Sequence, residues 1–440
     1  MLRALRHRAS GHRHLLTGSA ALVLTAGVQA VSGALFWLIA ARVDTQTDVG
    51  RATALFTSVL FVAFVAGLGQ PVVAARYAAG RTRDDHVLFA WGALASAVAG
   101  VIVAVAYLVV VSPRAVDELH DWHGALGPAM FVLLAVGTGL SLLLDVRLMT
   151  QRRWGLVLVR ATIVGVARFP LLLIPVDTDR AVWLLAIATI PTAVSGYVGM
   201  ALLPRVTGDR HHLGPRPATT AAMVHYSLVN WASTLTYQAP QFAMPVIVLV
   251  HVDADRNASF YVAWGVAALA CYVPTAIGQA LLAEGGRDGS HVRSQVRLAI
   301  LIAGGLMVVG AALATVGRDL VISLYGEDYR DAAELLPVLV AAAIPWAVTS
   351  VYLTEARVLH RSGATVAITG ALTIFILGPA LILVPRDGID GAAAAFLGGN
   401  LLAACVALVT HLRGRIPAAI EIDAPDELTP EDVAGIAPLV

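Results

Sequence analysis

The sequence contains no lysine and few charges of either sign. All 30 basic residues other than histidine are arginines, and charged residues make up only 13% of the 440 residues. A soluble domain carries about 25% charged residues. Hydrophobic residues reach 58%. This composition excludes an ordinary soluble protein, because too few polar groups are present to hydrate the surface, and it indicates a membrane protein.

Cysteine is almost absent, which excludes further classes. The two cysteines, Cys271 and Cys405, both lie in apolar runs, so a disulfide framework of the secreted type is excluded. No histidine or cysteine spacing typical of a metal site occurs. We expect no metal, no cofactor and no nucleic-acid partner.

Long apolar runs dominate what is present. A transmembrane helix needs about 20 apolar residues, and turn signals separate twelve runs of that kind. The first run is about twice as long as a signal-peptide core, so we expect it to remain as an anchor. The predicted spans are 17–41, 52–76, 87–111, 124–146, 155–176, 181–203, 219–250, 258–283, 298–316, 332–354, 364–385 and 389–411.

Arginine is distributed unevenly between the two sides of these spans. Twenty arginines lie in the N-terminus, the even-numbered loops and the segment after the last span, whereas eight lie in the odd-numbered loops. Basic residues concentrate on the cytoplasmic side. The pattern predicts a multi-pass protein of the cytoplasmic (inner) membrane with both termini in the cytoplasm.

An internal repeat divides the chain. The stretches "LGQPVVAARY" at 68–77 and "IGQALLAEGG" at 277–286 lie 209 residues apart, and "LDVRLM" at 144–149 aligns with "TEARVL" at 354–359 with one residue of slip. This alignment pairs Asp145 with Glu355. Six is an even number of spans, so both halves enter the membrane from the same side and should be related by an axis along the membrane normal.

The predicted fold class is therefore an all-α membrane protein with twelve transmembrane helices in two pseudo-symmetric six-helix bundles around a central cavity. Two bundles that rock about a seam suit an alternating-access transporter; the alternative is a duplicated scaffold without a pathway. The expected domains are a basic cytoplasmic N-terminus (1–16), a first bundle (17–205), a linker (206–218), a second bundle (219–412) and an acidic cytoplasmic tail (413–440).

The seventh span carries polar residues at helical spacing. Asn230, Thr234, Tyr237 and Gln241 lie on one face, since their positions fall within about 60° at 100° per residue. Such a stripe predicts a wall of a wet cavity, and hydrogen bonding between helices is the alternative. Further amides in the first, second and eighth spans are candidate lining groups: Gln29, Gln70 and Gln279.

The fifth span contains two arginines. Both are candidate substrate-binding residues. Arg160 is close enough to the cytoplasmic end to extend its charge to the surface, whereas Arg168 lies about 20 Å along the helix at 1.5 Å per residue. A charge facing lipid at that depth costs roughly 2.5–3.5 kcal/mol or more. We expect Arg168 to face a cavity and to bind an anionic cargo, especially phosphate; pairing with backbone carbonyls is the alternative.

Several segments resemble a known family. "GSAALVLTAGVQAVSGALFWLIAARV" at 18–43, "AGLGQPVVAARYAAG" at 66–80 and "LYGEDYRDAAELLPVLVAA" at 324–342 are similar to polysaccharide-repeat (Wzx-type) flippases of the multidrug/oligosaccharidyl-lipid/polysaccharide exporter superfamily. The resemblance implies a MATE-like fold with a cavity lined by helices 1, 2, 7 and 8. It also implies transport of a polyprenyl-diphosphate-linked oligosaccharide to the outer leaflet for cell-surface polysaccharide assembly. Expected partners are this anionic glycan lipid, membrane lipids, and a glycan polymerase or glycosyltransferases.

Two other functions compete with flipping. A MATE-type multidrug antiporter would place a carboxylate in the cavity for cationic drugs, and the spans offer no acid at depth. A membrane glycosyltransferase or polymerase would use acidic residues in its outer loops. The candidates for that role are Asp44, Asp48, Asp117, Glu118 and Asp121, in loops short enough to be simple connections. We expect no enzymatic activity.

Overall fold

The computed structural model describes residues 24–67, 85–110, 119, 124–151, 153–174, 179–207, 221–285, 292–359 and 361–413, and within these ranges it contains no β-strand. Its helices are α1 (Leu24–Val43), α2 (Gln46–Ala66), α3 (Asp85–Val110), α4 (Leu126–Thr150), α5 (Trp154–Leu172), α6 (Arg180–Thr207), α7 (Ala221–His251), α8 (Ala254–Gly285), α9 (Val292–Val316), α10 (Arg318–Ser323), α11 (Arg330–Ala341), α12 (Ala343–Val358) and α13 (Ser362–Arg413).

These helices account for the twelve predicted spans and make the chain a multi-pass membrane protein. α1 to α9 are one span each, and α11 and α12 together form the tenth. α13 contains two spans, because Gly388 has a φ of +62° and reverses the chain between them. Glycine tolerates that left-handed conformation without a steric penalty. Among the described residues, α7 does not qualify as a membrane span by composition alone. Its polar residues account for this.

The spans form two bundles that match the sequence repeat. In the first bundle α4 packs on α3, α5 and α6, and in the second α13 packs on α7 and α12. The second core includes Trp264 and Phe396, whose rings meet edge to face at 4.7 Å. The amphipathic signal is weak in most helices, since their outer surfaces are also apolar: Ile163 is 63% exposed and Leu313 68% exposed. Lipid replaces water against these faces.

The bundles meet closely at the end that holds the α1–α2 and α7–α8 turns, which we call the turn end. Gln46 Nε2 donates hydrogen bonds to the Asp255 carbonyl at 3.0 Å and to Ser259 Oγ at 2.9 Å. Gln46 and Asp255 are 209 residues apart, the offset of the sequence repeat. Equivalent positions of two halves come together where a two-fold axis passes between them, so this contact marks the axis.

Gly50 allows the two helices at this axis to touch. Asn257 Nδ2 donates to the Gly50 carbonyl at 2.9 Å. A Cβ atom at position 50 would lie 1.9 Å from the carbonyl oxygen of Ala254. Because that neighbour is backbone, it has no rotamer through which to move away, and any side chain at position 50 must push α2 and α8 apart.

The connection from the ninth to the tenth span explains part of the "LYGEDY" motif. Gly326 has a φ of +127°, a conformation that glycine adopts readily, and Tyr329 is only 1% exposed. Arg42 of the first bundle donates to the carbonyls of Leu324 and Ser323, which end α10. The arginine thereby satisfies carbonyls that lack helical partners and complements the helix dipole.

We predict that Gly50→Ala separates the bundles at the turn end. The added methyl group collides with backbone, and such overpacking typically costs 1–3 kcal/mol. The measurement is the thermal unfolding midpoint of the purified protein in detergent. Gly33→Ala is the control, because a Cβ at Gly33 meets nothing within 4 Å. Equal midpoints for the two variants would contradict the assigned contact.

Candidate functional site

Arg160 is neutralised inside the first bundle. Its Nε lies 3.0 Å from Asp145 Oδ1 of α4, and Nη1 donates to Ser141 Oγ at 2.5 Å and Ser195 Oγ at 3.2 Å. The two charged side chains are 15% and 14% exposed. The expectation that Arg160 extends its charge to the membrane surface is wrong, because α4 supplies a carboxylate within reach. In this conformation it presents no uncompensated charge.

Arg168 is the deep arginine of α5, and it has a different environment. One guanidinium nitrogen, Nη2, donates to Thr192 Oγ1 at 3.3 Å. Its Nε is buried and has no hydrogen-bond partner. Within the described part of the chain no carboxylate forms an ion pair with Arg168. The guanidinium therefore keeps its charge and part of its hydrogen-bonding capacity unsatisfied.

The side chain of Arg168 lies near Tyr261 of the second bundle. It interacts electrostatically with Tyr261 of α8. Tyr261 in turn forms a hydrogen bond with Thr57 of α2 and an edge-to-face contact with Trp37 of α1, at 5.6 Å between ring centroids. Arg168 thus lies close to the aromatic contact that joins α1, α2 and α8, while its exposure to a cavity stays a prediction.

Backbone packing fixes α5 against this seam. A Cβ at Gly165 would lie 2.8 Å from the Ser32 hydroxyl oxygen of α1, so the glycine permits close approach of α5 to α1. Arg168 follows three residues later and lies nearly on the same face of the helix. The close contact at Gly165 therefore directs Arg168 toward α1 and the second bundle instead of toward lipid.

The polar stripe of α7 faces in part into the second bundle. Tyr237 is 7% exposed; its hydroxyl forms a hydrogen bond with Thr275 of α8, and its ring centroid lies 5.5 Å from that of Trp346. Thr234 and Gln241 are partly exposed. The contacts of α7 with α2 come from other positions, which accords with a helix whose separate faces meet the seam and the second bundle.

The remaining predicted amides are placed unevenly. Gln29 of α1 is exposed, and its carbonyl accepts a hydrogen bond from Ser32. Gln70 lies outside the described residues. The backbones of Asn230 and Gln279 belong to α7 and α8, while their side chains lie outside the described part of the structure. The assignment of these four residues as cavity-lining groups stays a prediction.

Sequence reasoning missed Arg357, which it assigned to a cytoplasmic loop. The structure places Arg357 within α12, with its guanidinium carbon 5.5 Å from the centroid of the Tyr237 ring. The repeat aligns Arg147 with Arg357, and this alignment was the available signal in the sequence. In the structure Arg147 is 2% exposed and also lies over an aromatic ring, that of Phe89, at 5.2 Å.

The two acids that the repeat aligns, Asp145 and Glu355, each have a basic partner. Asp145 accepts Arg160, whereas Glu355, 3% exposed, accepts a 2.6 Å contact from His411 Nδ1 of α13. The His411 ring stacks on Tyr352. Both carboxylates are thus buried near the ends of their helices, and neither is free.

We predict that Asp145→Ala destabilises the protein, because Arg160 would remain buried without its counter-ion. Breaking one side of a buried ion pair typically costs about 3–5 kcal/mol. The measurement is the thermal midpoint in detergent. Glu327→Ala is the matched control, since Glu327 pairs with Arg330 at 3.5 Å in a contact that is 88% and 78% exposed, and exposed pairs contribute little. A midpoint unchanged by Asp145→Ala would show that Arg160 does not depend on Asp145.

No protein-family model matches the sequence, and no curated protein matches it. Solved structures do match over nearly the whole chain. A structure described as the inward-facing conformation of a multidrug resistance MATE family transporter of the MOP superfamily has a TM-score of 0.65 and 15% identity, covering 89% of this chain and 97% of the other. An outward-facing structure of such a transporter has a TM-score of 0.60 and 17% identity, covering 91% and 95%.

A third match concerns an archaeal protein. It is a MOP superfamily transporter from Pyrococcus furiosus, described as having a binding pocket of reverse polarity that suggests a different function. Its TM-score is 0.60 at 15% identity, with 91% of this chain and 95% of that chain covered. Together these matches show that the chain has the fold of MATE transporters: two six-helix bundles in one all-α membrane protein.

Proposed function

We propose that the protein is an alternating-access transporter that moves a polyprenyl-diphosphate-linked oligosaccharide from the cytoplasmic to the outer leaflet. The observation that carries the proposal is Arg168: a guanidinium at the seam, with a buried Nε that lacks a partner and without a carboxylate among the described residues. A diphosphate supplies the missing charge and acceptors, because arginine binds phosphate oxygens in a planar, bidentate manner.

The proposed orientation places the turn end on the outer side of the cytoplasmic membrane and both termini in the cytoplasm. The hydrogen bonds from Gln46 and Asn257 and the close contact at Gly50 then close the outer side of the seam. A cargo made in the cytoplasm would load from the opposite end and be released when these contacts open. Transport of this kind couples each opening to the closure of the other side.

The multidrug antiporter alternative needs an acid that a cationic drug can reach. Among the described residues, the two acids buried in the α4 and α12 region are held by Arg160 and His411, while arginines carry the open charge. Structures with this fold are described both as multidrug resistance transporters and as a transporter whose binding pocket of reverse polarity suggests a different function. The charge balance at the seam therefore supports an anionic cargo.

We predict that Arg168→Ala abolishes flipping while the protein still folds. Loss of a charge-assisted hydrogen bond removes about 1.5–3 kcal/mol of binding, or roughly 10- to 100-fold in affinity. The measurement is movement of a fluorescent polyprenyl-diphosphate sugar between leaflets of reconstituted vesicles. Arg330→Ala is the control, because Arg330 is exposed beside Glu327. Normal flipping by a folded Arg168→Ala variant would refute the assigned role.

The orientation gives a separate prediction. In a background of Cys271→Ala and Cys405→Ala, a cysteine introduced by Arg330→Cys should react with a membrane-impermeant maleimide added to intact cells, because Arg330 is the exposed first residue of α11, at the outer end of that helix. His251→Cys, at the turn end and exposed, should react in the same way. Labelling only after the membrane is opened would reverse the assigned topology.

A further inference from the structure

Arg357 is a second arginine that the structure leaves without an acid. It lies in the last turn of α12 and is partly exposed. Among the residues that the structure describes, it makes no ion pair, and its guanidinium rests over the Tyr237 ring at 5.5 Å. Contact with a ring face attracts the charge but uses none of the five N–H donors.

The nearest acid in sequence does not serve this arginine. Glu355 is two residues earlier, and positions two apart on a helix point in nearly opposite directions. Glu355 is instead held by His411 of α13 at 2.6 Å. The helix thus separates a satisfied acid on one face from an unsatisfied cation on the other, and Arg357 cannot be neutralised by Glu355 without unwinding the last turn of α12.

The surroundings of Arg357 form a built site. Tyr237 is held in place by a hydrogen bond to Thr275 and by ring contact with Trp346 at 5.5 Å. Trp346 Nε1 also approaches the Thr275 hydroxyl at 3.4 Å. Helices α7, α8 and α12 therefore position one aromatic surface beneath the guanidinium. Because the ring contact uses no N–H donor, the guanidinium keeps its donors available for two phosphate oxygens.

We propose that Arg357, held over the Tyr237 ring, forms a phosphate-binding site in the second bundle that is separate from Arg168. The ligand is a phosphoryl oxyanion, and the inference rests on the proposed function in taking the diphosphate of the lipid cargo as its source. A neutral sugar would not neutralise the charge of Arg357, and a cationic drug would be repelled by it. The site would thus select for the anionic end of the cargo.

The two arginines lie at different levels of the membrane. Arg168 interacts with Tyr261, and the ring beneath Arg357 is bonded to Thr275. These two residues of α8 are separated by about 20 Å at 1.5 Å per residue. Arg357 lies toward the end opposite the turn end. A diphosphate arriving from that end would meet Arg357 first and Arg168 later, so the sites would act in sequence along the seam.

The test is direct binding of geranylgeranyl diphosphate to the full chain in phosphatidylcholine nanodiscs, measured by calorimetry. Geranylgeraniol is the uncharged control, and inorganic pyrophosphate distinguishes a free phosphate from a lipid headgroup. The variants are Arg357→Gln, Arg357→Lys, Tyr237→Leu and Arg168→Ala, with Arg330→Gln as the matched surface control. Elution profile and thermal midpoint identify any variant that fails to fold.

We expect Arg357→Gln to weaken diphosphate binding about 10- to 100-fold, with smaller losses for Arg357→Lys and Tyr237→Leu and no change for Arg330→Gln. Arg168→Ala should still bind the diphosphate, although it does not flip the cargo. Binding of inorganic pyrophosphate with the same dependence on Arg357 would support a phosphate site that needs no lipid chain.

Other results would overturn the inference. Wild-type affinity in a folded Arg357→Gln variant would do so, as would complete loss of binding in Arg168→Ala, because a single site would then be sufficient. Both leave the proposed function intact, since Arg168 would carry the anion alone. Failure of the wild-type protein to bind or flip any diphosphate lipid would reject the proposed function together with this site.

Discussion

A charged group inside the membrane needs a partner that neutralises its charge. The arginines of this structure differ in whether they have such a partner. Water is not available to solvate a guanidinium between apolar helices, so its partner must come from the protein or from a ligand. Arg160 forms an ion pair with Asp145, and Arg180 forms one with Asp44 at 2.5 Å. Arg168 and Arg357 form no ion pair with an acid in the described part of the chain. This difference, more than the number of arginines, is the basis for the proposed binding sites.

The two halves use the same local arrangement with different partners. In each half an acid and an arginine lie two residues apart near the end of the fourth helix: Asp145 with Arg147, and Glu355 with Arg357. Each acid is bound by a basic group from another helix, and each arginine lies over an aromatic ring. Duplication explains the shared arrangement. The second half differs because its ring belongs to α7, the helix that carries the polar stripe, and so the repeated element acquires a place at a candidate binding site.

Much of the fold was predictable because lipid imposes strict rules on sequence. A spanning helix must be long and apolar, so runs of sufficient length locate it, and the 209-residue offset gives the pairing of halves that Gln46 and Asp255 confirm. The site was predictable only in part. Arg168 could be identified as a costly charge, whereas the position of Arg357 over Tyr237 depends on α12 extending four residues beyond the predicted span. Helix ends are the least certain feature of such an analysis.

The sequence by itself determined the number of spans, the duplication and the presence of two arginines in the fifth span. Tertiary structure alone decided which arginines keep an open charge. Asp145 is 15 residues from Arg160 and His411 is 56 residues from Glu355, and no pattern in the sequence distinguishes these partners from other acids and bases nearby. The physical reason is that an ion pair needs its nitrogen and oxygen atoms within about 4 Å of each other, and only the packing of one helix on another brings two charges within that distance.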